Sequence, residues 1–547
     1  KASQMILECA DSSVRLQAML YLFLYFIWIG NFPKARGIVE SARGWTASPA
    51  SPPQRRILFH LFEARLLCGV AQFDDSIRSA GRGLEIASAS GIHLWDFFLL
   101  AEQTSARLGK GDLDAADACL KQMAPFLGPG QTLNQAYFHH LRSWHAALEG
   151  DIPLALSLEK TADALVTECG APCGMALGSV YMARLANEAG NPGEAENHLG
   201  RAERIARAMK SPILEYQCLL VRADIAFLRG DTPSGLAALR NAFSAGRERG
   251  YFHYDNWIPT FMTRLCVKAL EEGVEVPYAQ ELVRKRNLVP ACPPLEIESW
   301  PWPVAIYTLG RFEILKNGEQ LIFPRKVQKR PLSLLKAIIA FGGKAVREAQ
   351  IADAVWPELE GDMAIQSLAV ALHRLRQLLG PEEAVQRQEG ILGLDPRYCW
   401  VDAFAFDHLL AKAQSPGETA GSGCAVELQE KAVSLYRGPF LAEEPDRPWA
   451  ISMRERLRSR YLLAVGRLGA HWLQAKEWEK ARACYEQGLG VDNLAEEFYQ
   501  SLMRCYLQDS RKAEALAVYR RLEKTFSSLG VEPSPKTRGL LNALRSP

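Results

Sequence analysis

The stretch Gly111-Asp112-Leu113-Asp114-Ala115-Ala116 decides the fold of the first half of this chain, because it is one copy of a turn that returns at a near-constant interval. Its counterparts are Gly30-Asn31-Phe32-Pro33-Lys34-Ala35, Ala71-Gln72-Phe73-Asp74-Asp75-Ser76, Gly150-Asp151-Ile152-Pro153-Leu154-Ala155, Gly190-Asn191-Pro192-Gly193-Glu194-Ala195 and Gly230-Asp231-Thr232-Pro233-Ser234-Gly235. Positions 31, 72, 112, 151, 191 and 231 lie 41, 40, 39, 40 and 40 residues apart. The turn has a mechanism: Gly ends one helix in the left-handed conformation, and Asn or Asp caps the next. Small residues such as Ala35, Ala116, Ala155 and Ala195 then let the paired helices approach closely. A period near 40 with helix-forming sequence on both sides means stacked antiparallel helix pairs, so residues 1–290 are expected to form a superhelix.

Working outward, the run PACPPLEIESWPWP at 290–303 breaks the helical pattern and reads as a Pro-rich linker or docking strand (291–303) at a domain boundary. Beyond it the period changes. Ala305–Leu309, Phe312–Leu315 and Gln320–Phe323 alternate like strands, with Asn317-Gly318 as a hairpin turn. Helices are expected at 327–341, 347–355 and 362–379, followed by a hairpin of 385–388 and 391–394 around Glu389-Gly390. From Phe404 helices return, and Ala481 and Ala515 sit 34 residues apart in similar contexts, the usual tetratricopeptide period. The fold class is therefore mainly α, with two helical-repeat regions, 1–290 and 403–547, flanking a small α+β module at 304–402.

Composition sets the bounds. With 48% apolar and 23% charged residues the chain is an ordinary globular one, and its 547 residues call for several domains. A formal net charge of +2 gives no global pull towards nucleic acid, so any basic footprint must be local. The longest apolar run, Met19 to Ile29, falls short of the roughly 18–20 residues needed to cross a bilayer. No membrane partner is expected. Twelve scattered cysteines, with Cys169 and Cys173 the one close pair, fit reduced thiols in a cytoplasmic protein and supply no metal site. The opening Lys1-Ala2-Ser3 lacks Met and a cleavage signal, which reads as a fragment.

The amino-terminal repeats resemble those of the sensor region in activators of the maltose-regulon type. Strands, three helices and a terminal hairpin in that order resemble the winged helix-turn-helix of OmpR- and PhoB-type response regulators. Five stretches carry a more specific resemblance to the DNA-binding and bacterial transcriptional activation domains of the antibiotic-regulatory-protein family. They are Leu309-Gly310-Arg311-Phe312-Glu313, Asp353-Ala354-Val355-Trp356-Pro357, Leu372-His373-Arg374-Leu375-Arg376, Tyr436-Arg437-Gly438-Pro439-Phe440-Leu441 and the run from Ala513 to Leu522. The resemblance implies a sequence-specific transcription activator that senses a small-molecule or protein signal through its repeats, binds double-stranded DNA and recruits RNA polymerase. It also implies an oligomer on direct-repeat DNA, and relatives with this layout often carry a nucleotide-binding switch domain upstream.

The third helix tests that implication, because it must face two ways. At 100° per residue Leu368, Leu372, Leu375 and Leu379 make one apolar stripe, and Gln366, Ser367, Val370, His373, Arg374 and Gln377 lie opposite. Arg and Gln can pair with guanine and adenine edges, and Val can touch a thymine methyl. The resemblance assigns base contact to Ala369, Val370 and Arg374, and phosphate contact to Trp356, Gln366, Ser367, His373 and Arg376. The cluster Arg325, Lys326, Lys329 and Arg330 can flank the phosphate backbone. Glu389 at the wing tip would repel phosphate, so deep minor-groove insertion is not expected. In resembling activators the loop 357–361, here holding Glu358 and Glu360, meets RNA polymerase.

An enzyme needs a nucleophile, metal or phosphate loop, and none emerges. Gly342-Gly343-Lys344-Ala345 lacks the first Gly and the Ser/Thr of a phosphate loop, and His139, His140 and His145 lack a second ligand group. The chain is expected to be non-enzymatic and to need no cofactor. Trp95, Tyr137, Trp144, Tyr181, Tyr216 and Trp257 are expected mostly in the repeat core, with some available to line a receptor surface. The competing reading is a helical-repeat protein-interaction scaffold.

Overall fold

The computed structural model describes residues 12–45, 51–290, 292–322, 329–414 and 423–545, in two compact units, 1–290 and 291–547. The protein is mainly helical, with a small sheet region in the second unit.

The first unit contains seven helix pairs among its described residues. They are α1 (Ser12–Trp28) with α2 (Phe32–Ala42), α3 (Pro53–Gly69) with α4 (Phe73–Ser90), α5 (Asp96–Lys110) with α6 (Leu113–Met123), and α7 (Thr132–Glu149) with α8 (Ile152–Glu168). There follow α9 (Pro172–Glu188) with α10 (Pro192–Met209), α11 (Pro212–Leu228) with α12 (Thr232–Arg249), and α13 (Pro259–Glu271) with α14 (Val276–Arg286). The turns work as their residue types require. Gly30, Gly111, Gly150, Gly190 and Gly230 have φ between +69° and +89°. Asn31, Asp112, Asp151 and Asp231 accept from the backbone N–H three residues on, at 3.0–3.4 Å, satisfying donors that the helix start leaves open. Ala35, Ala116, Ala155 and Ala195 are fully buried where the helices meet.

The seventh pair was not among the six expected repeats. Its turn, Glu272 to Glu275, keeps a left-handed Gly273 but has no Asn or Asp cap. The connection before it, residues 251–258, runs through the inside of the unit. There Trp144 Nε1 donates to the Trp257 carbonyl at 3.0 Å, and Arg65 clamps Asp255 with two hydrogen bonds. Trp144, Tyr181, Tyr216 and Trp257 are core residues, whereas Tyr137 lines an internal cavity.

In the second unit β1 (Val304–Tyr307), β2 (Glu313–Lys316) and β3 (Glu319–Gln320) form an antiparallel meander, with Ile306 opposite Ile314. Asn317 and Gly318, both at positive φ, make the expected turn between β2 and β3. Then come α15 (Lys329–Ala340), β4 (Val346–Arg347), α16 (Glu348–Val355), α17 (Gly361–Leu379), the hairpin β5 (Val385–Gln388) and β6 (Ile391–Leu394), and β7 (Cys399–Val401). β7 adds in parallel to β1, giving the order β3-β2-β1-β7, while β4 joins the hairpin as β4-β6-β5. Neither β4 nor β7 was expected from the sequence. Thr308 and Leu309, read as the end of β1, leave the strand; Leu309 instead bridges to Phe440.

The remaining helices are α18 (Asp402–Gln414), α19 (Gly423–Leu435), α20 (Pro448–Gln474), α21 (Trp478–Val491), α22 (Glu496–Gln508), α23 (Lys512–Ser527) and α24 (Pro535–Arg545). Ala481 and Ala515, the two residues of the 34-residue spacing, are fully buried in one core with Tyr485, Leu502 and Leu522. The described part of the Pro-rich segment, 292–303, docks rather than links. Ile297, Trp300 and Trp302 are buried, Trp400 Nε1 donates to the Leu295 carbonyl at 2.9 Å, and Lys412 pairs with Glu296. Its apolar side chains lose water by packing on the module that follows, which a free linker cannot offer them.

Candidate nucleic-acid interface

The framework of the candidate interface is the Leu stripe of α17. Leu368, Leu372, Leu375 and Leu379 are buried, with Ala364 and Ala371 beside them, against α15 and α16. Burying that stripe fixes the rotation of the helix and turns Gln366, Val370, His373, Arg374 and Gln377 to solvent. Val370 is 54% exposed at the middle of this face, and Met363, two turns earlier on the same side, is exposed as well. Ser367 and Ala369 flank this face half-buried. His373 and Gln377, one turn apart, are joined by a hydrogen bond of 3.0 Å between Nε2 atoms. Arg374 has no hydrogen-bond or ion-pair partner among the described residues, so its guanidinium is available.

Other expected residues are placed differently. Arg376 directs Nε and Nη2 to the Val385 carbonyl at 3.1 and 2.9 Å, bracing α17 against the first wing strand. Trp356 is only 4% exposed, and the Arg330 guanidinium lies 5.8 Å from its ring centre. Arg330 also donates to the Val355 carbonyl and to Glu358 Oε1, both within 2.6 Å. Glu358 is thereby held on α15, and its own backbone N–H and Arg330 keep its carboxyl below the usual range. Glu360 precedes α17 and stays exposed, with no side-chain capping bond. Arg325 and Lys326 lie outside the described residues.

The wing turns through Glu389 and Gly390, both at positive φ, as a two-residue hairpin requires. The Gly390 carbonyl accepts from the Glu348 N–H at 2.9 Å, tying the tip to the start of α16. Arg387 is taken up by Glu348 in a bidentate pair at 2.5 and 2.9 Å, and that hydrogen bonding raises the guanidinium pKa. The wing's own cation is therefore neutralised. Two exposed cations beside it were missed from sequence, Lys344 and Arg347, neither with a partner among the described residues. Arg347 pairs in register with Ile391 through β4, so only the unexpected strand brings it to the wing. Between 301 and 400 there are 13 Lys/Arg and 11 Asp/Glu. Among the described residues, local pairing of Arg330, Arg376, Arg387 and Arg397 leaves Arg374, Lys344, Arg347 and Lys329 as unpaired positive charges.

The strand-and-helix module and the helices behind it share polar bonds away from solvent. Asp402 at the start of α18 accepts from the ends of β1, and Lys336 of α15 pairs with Glu444. No helix among the described residues is long and apolar enough to cross a membrane.

Residues 401–545 match the family model of the bacterial transcriptional activator domain. The chain is similar to the transcriptional regulator RedD of Streptomyces coelicolor, 27% identical over 219 residues, which cover 38% of this chain and 61% of RedD. Among solved structures it is similar to Mycobacterium tuberculosis EmbR in complex with a low-affinity phosphopeptide, at 19% identity and a TM-score of 0.37 over 44% of this chain and 64% of EmbR. It is also similar to the P58(IPK) TPR domain, at 12% identity and a TM-score of 0.18 over 82% of this chain and 97% of that one. The chain thus spans less than two thirds of RedD and of EmbR. Residues 401–545 are thus similar to a bacterial transcriptional activator domain, and a small strand-and-helix module and helical repeats precede them in the chain.

Proposed function

We propose that this protein is a cytoplasmic, sequence-specific DNA-binding activator whose amino-terminal repeats receive a small-molecule or protein signal. The observation that carries the proposal is the exposed face of α17, where an uncommitted Arg374 stands beside Val370, Gln366 and Gln377 on a helix locked by its Leu stripe. That set offers donors for guanine and adenine edges and an apolar contact for a thymine methyl. Arg347 and Lys344 at the wing base supply phosphate contacts, as do Arg325 and Lys326 before α15. The buried bonds between this module and residues 403–547 make the two act as one body on DNA. The exposed Glu360, beside Glu358, offers an acidic face to a basic surface of RNA polymerase. Binding as an oligomer on direct repeats follows from the same layout.

The test is selection of duplexes from a random pool by the full chain, followed by gel shift of the enriched sequence and its scrambled form. Enrichment of one motif supports the reading. Failure to enrich any sequence sinks it, and leaves a protein-interaction scaffold as the better account.

A further inference from the structure

The first unit holds a cavity of about 390 Å³ that is partly open to solvent. That is within the roughly 300–1,000 Å³ that holds a small organic ligand. Phe23, Ile27, Phe62 and Phe98 give it mostly apolar walls, and Asp255 of the threaded segment 251–258 closes one side.

Its polar groups are unbalanced. The Arg65 guanidinium is engaged by both oxygens of Asp255, at 3.1 and 2.5 Å. Three further carboxylates line the space: Glu102 Oε2 lies 3.6 Å from Arg65 Nη1 as an ion pair, whereas Glu159 Oε2 and Asp163 Oδ1 are buried without a hydrogen-bond partner. The buried polar atoms left with neither a hydrogen bond nor an ion pair, among the described lining residues, are thus the carboxylate oxygens of Glu159 and Asp163. Glu159, 1% exposed, and Asp163 sit one turn apart on α8. His140 Nδ1 engages Glu159 Oε1 at 2.8 Å and Arg201 Nη1 engages Asp163 Oδ2 at 2.7 Å, so the second oxygen of each is the one left open. Gly178 on α9 keeps the approach clear: a Cβ there would stand 3.2 Å from Glu159 Oε1 and 3.8 Å from Asp163 Oδ1. Like charges at this spacing repel, more so where water is excluded, and a cation between them relieves both repulsion and desolvation. Burial pushes the Glu102 carboxyl up to about 7 even with Arg65 near it.

We propose that the cavity binds a small organic amine, its ammonium donating to Glu159 Oε2 and Asp163 Oδ1 and its apolar body lying among the phenylalanines. This rests on the reading of the first unit as the signal receiver and names the chemistry of the signal.

The full chain is titrated calorimetrically, and its thermal unfolding followed, with 2-phenylethylamine, tryptamine and octylamine, each against the matching alcohol and carboxylate. The amines bind saturably and raise the unfolding temperature in proportion to the logarithm of their concentration, whereas alcohols and carboxylates bind on the order of tenfold more weakly or not at all. Asp163→Asn and Glu159→Gln each weaken amine binding by about tenfold with the helical signal intact. Gly178→Ala, which favours the helix itself but narrows the approach, weakens it as well. Equal binding of amine and alcohol, indifference to both Asp163→Asn and Gly178→Ala, or no binding by any amine overturns the proposal. Duplex selection on the same chain keeps the two readings apart. Amine binding without an enriched duplex removes the DNA reading alone, and an enriched duplex without amine binding removes the cavity proposal alone.

Discussion

Asp402 receives both the backbone N–H and the hydroxyl of Thr308, at 2.7 and 2.6 Å, across 94 residues of sequence. The Leu309 and Ala403 N–H groups complete the set at 2.9 and 2.7 Å, so one carboxylate, 1% exposed, holds the end of β1 to the start of α18. Asp402→Asn turns an NH₂ group towards donors and leaves at least one buried N–H unpaired. The expected loss is about 1–3 kcal/mol of stability, read as a lowered urea midpoint at unchanged helical content. A cut after Val401 removes Asp402 and the Phe440 bridge together, so residues 304–401 alone are expected to be far less stable than the intact unit.

Ala71 stands where five other turns carry a left-handed glycine, with φ of +63°. An L-residue in that conformation costs roughly 1–2 kcal/mol, and glycine offsets part of the gain by its freedom in the unfolded chain, about 0.5–1 kcal/mol. Ala71→Gly should therefore stabilise the first unit by about 0.5–1 kcal/mol, visible as slower amide exchange in α3 and α4. An unchanged or faster exchange rate contradicts the strain.

Glu102 gives a pH-dependent case. Its carboxyl is raised from 4.5 to about 7 in the fold, by burial above all, so the folded state holds the proton more tightly than the unfolded chain. Its ionisation costs stability progressively as pH rises from about 4.5 through 7, and the cost is fully present above. Glu102→Gln removes that penalty. The variant should be more stable than the parent by on the order of 2–3 kcal/mol at pH 8 and by under about 1 kcal/mol at pH 5. Amide exchange of α5 at the two pH values measures it, and a gain independent of pH rules the mechanism out.

What the sequence discloses and what it hides divide by the range of the interactions. The turns at 30, 111, 150, 190 and 230 are legible because a left-handed glycine and a helix cap are local demands. The turn at Glu272–Glu275 has no such cap, and the pair it joins escapes the period. Burial of residues 251–258 depends on Trp144–Trp257 and Arg65–Asp255, which are 113 and 190 residues apart, so nothing within the segment announces it. The exposed face of α17 follows from helical period alone. The bond from Arg376 to Val385 and the register of Arg347 with Ile391 are tertiary, and they decide which cations remain free.

Arg374 and Arg347 are both exposed and uncommitted, yet they are expected to do different work. Arg374 lies on the helix face that the Leu stripe turns outward, so its guanidinium can hold a guanine edge. Arg374→Ala should cost about 1–3 kcal/mol on the selected duplex, relax preference at one base pair, and change little on a scrambled one. Arg347 lies beside the wing, where β4 pairs with β6, and Arg387, the wing's own cation, is neutralised by Glu348. Arg347→Ala should weaken matched and scrambled duplexes alike and reduce the salt slope by about one, the mark of a phosphate contact. Lys326→Ala is expected to behave as Arg347→Ala does. Gel shifts of the variants at several salt concentrations separate the roles. If Arg374→Ala leaves preference intact while the fold persists by circular dichroism, α17 is not the reading helix. If Arg347→Ala changes preference at one base pair, the wing reads sequence and the division of labour is the reverse.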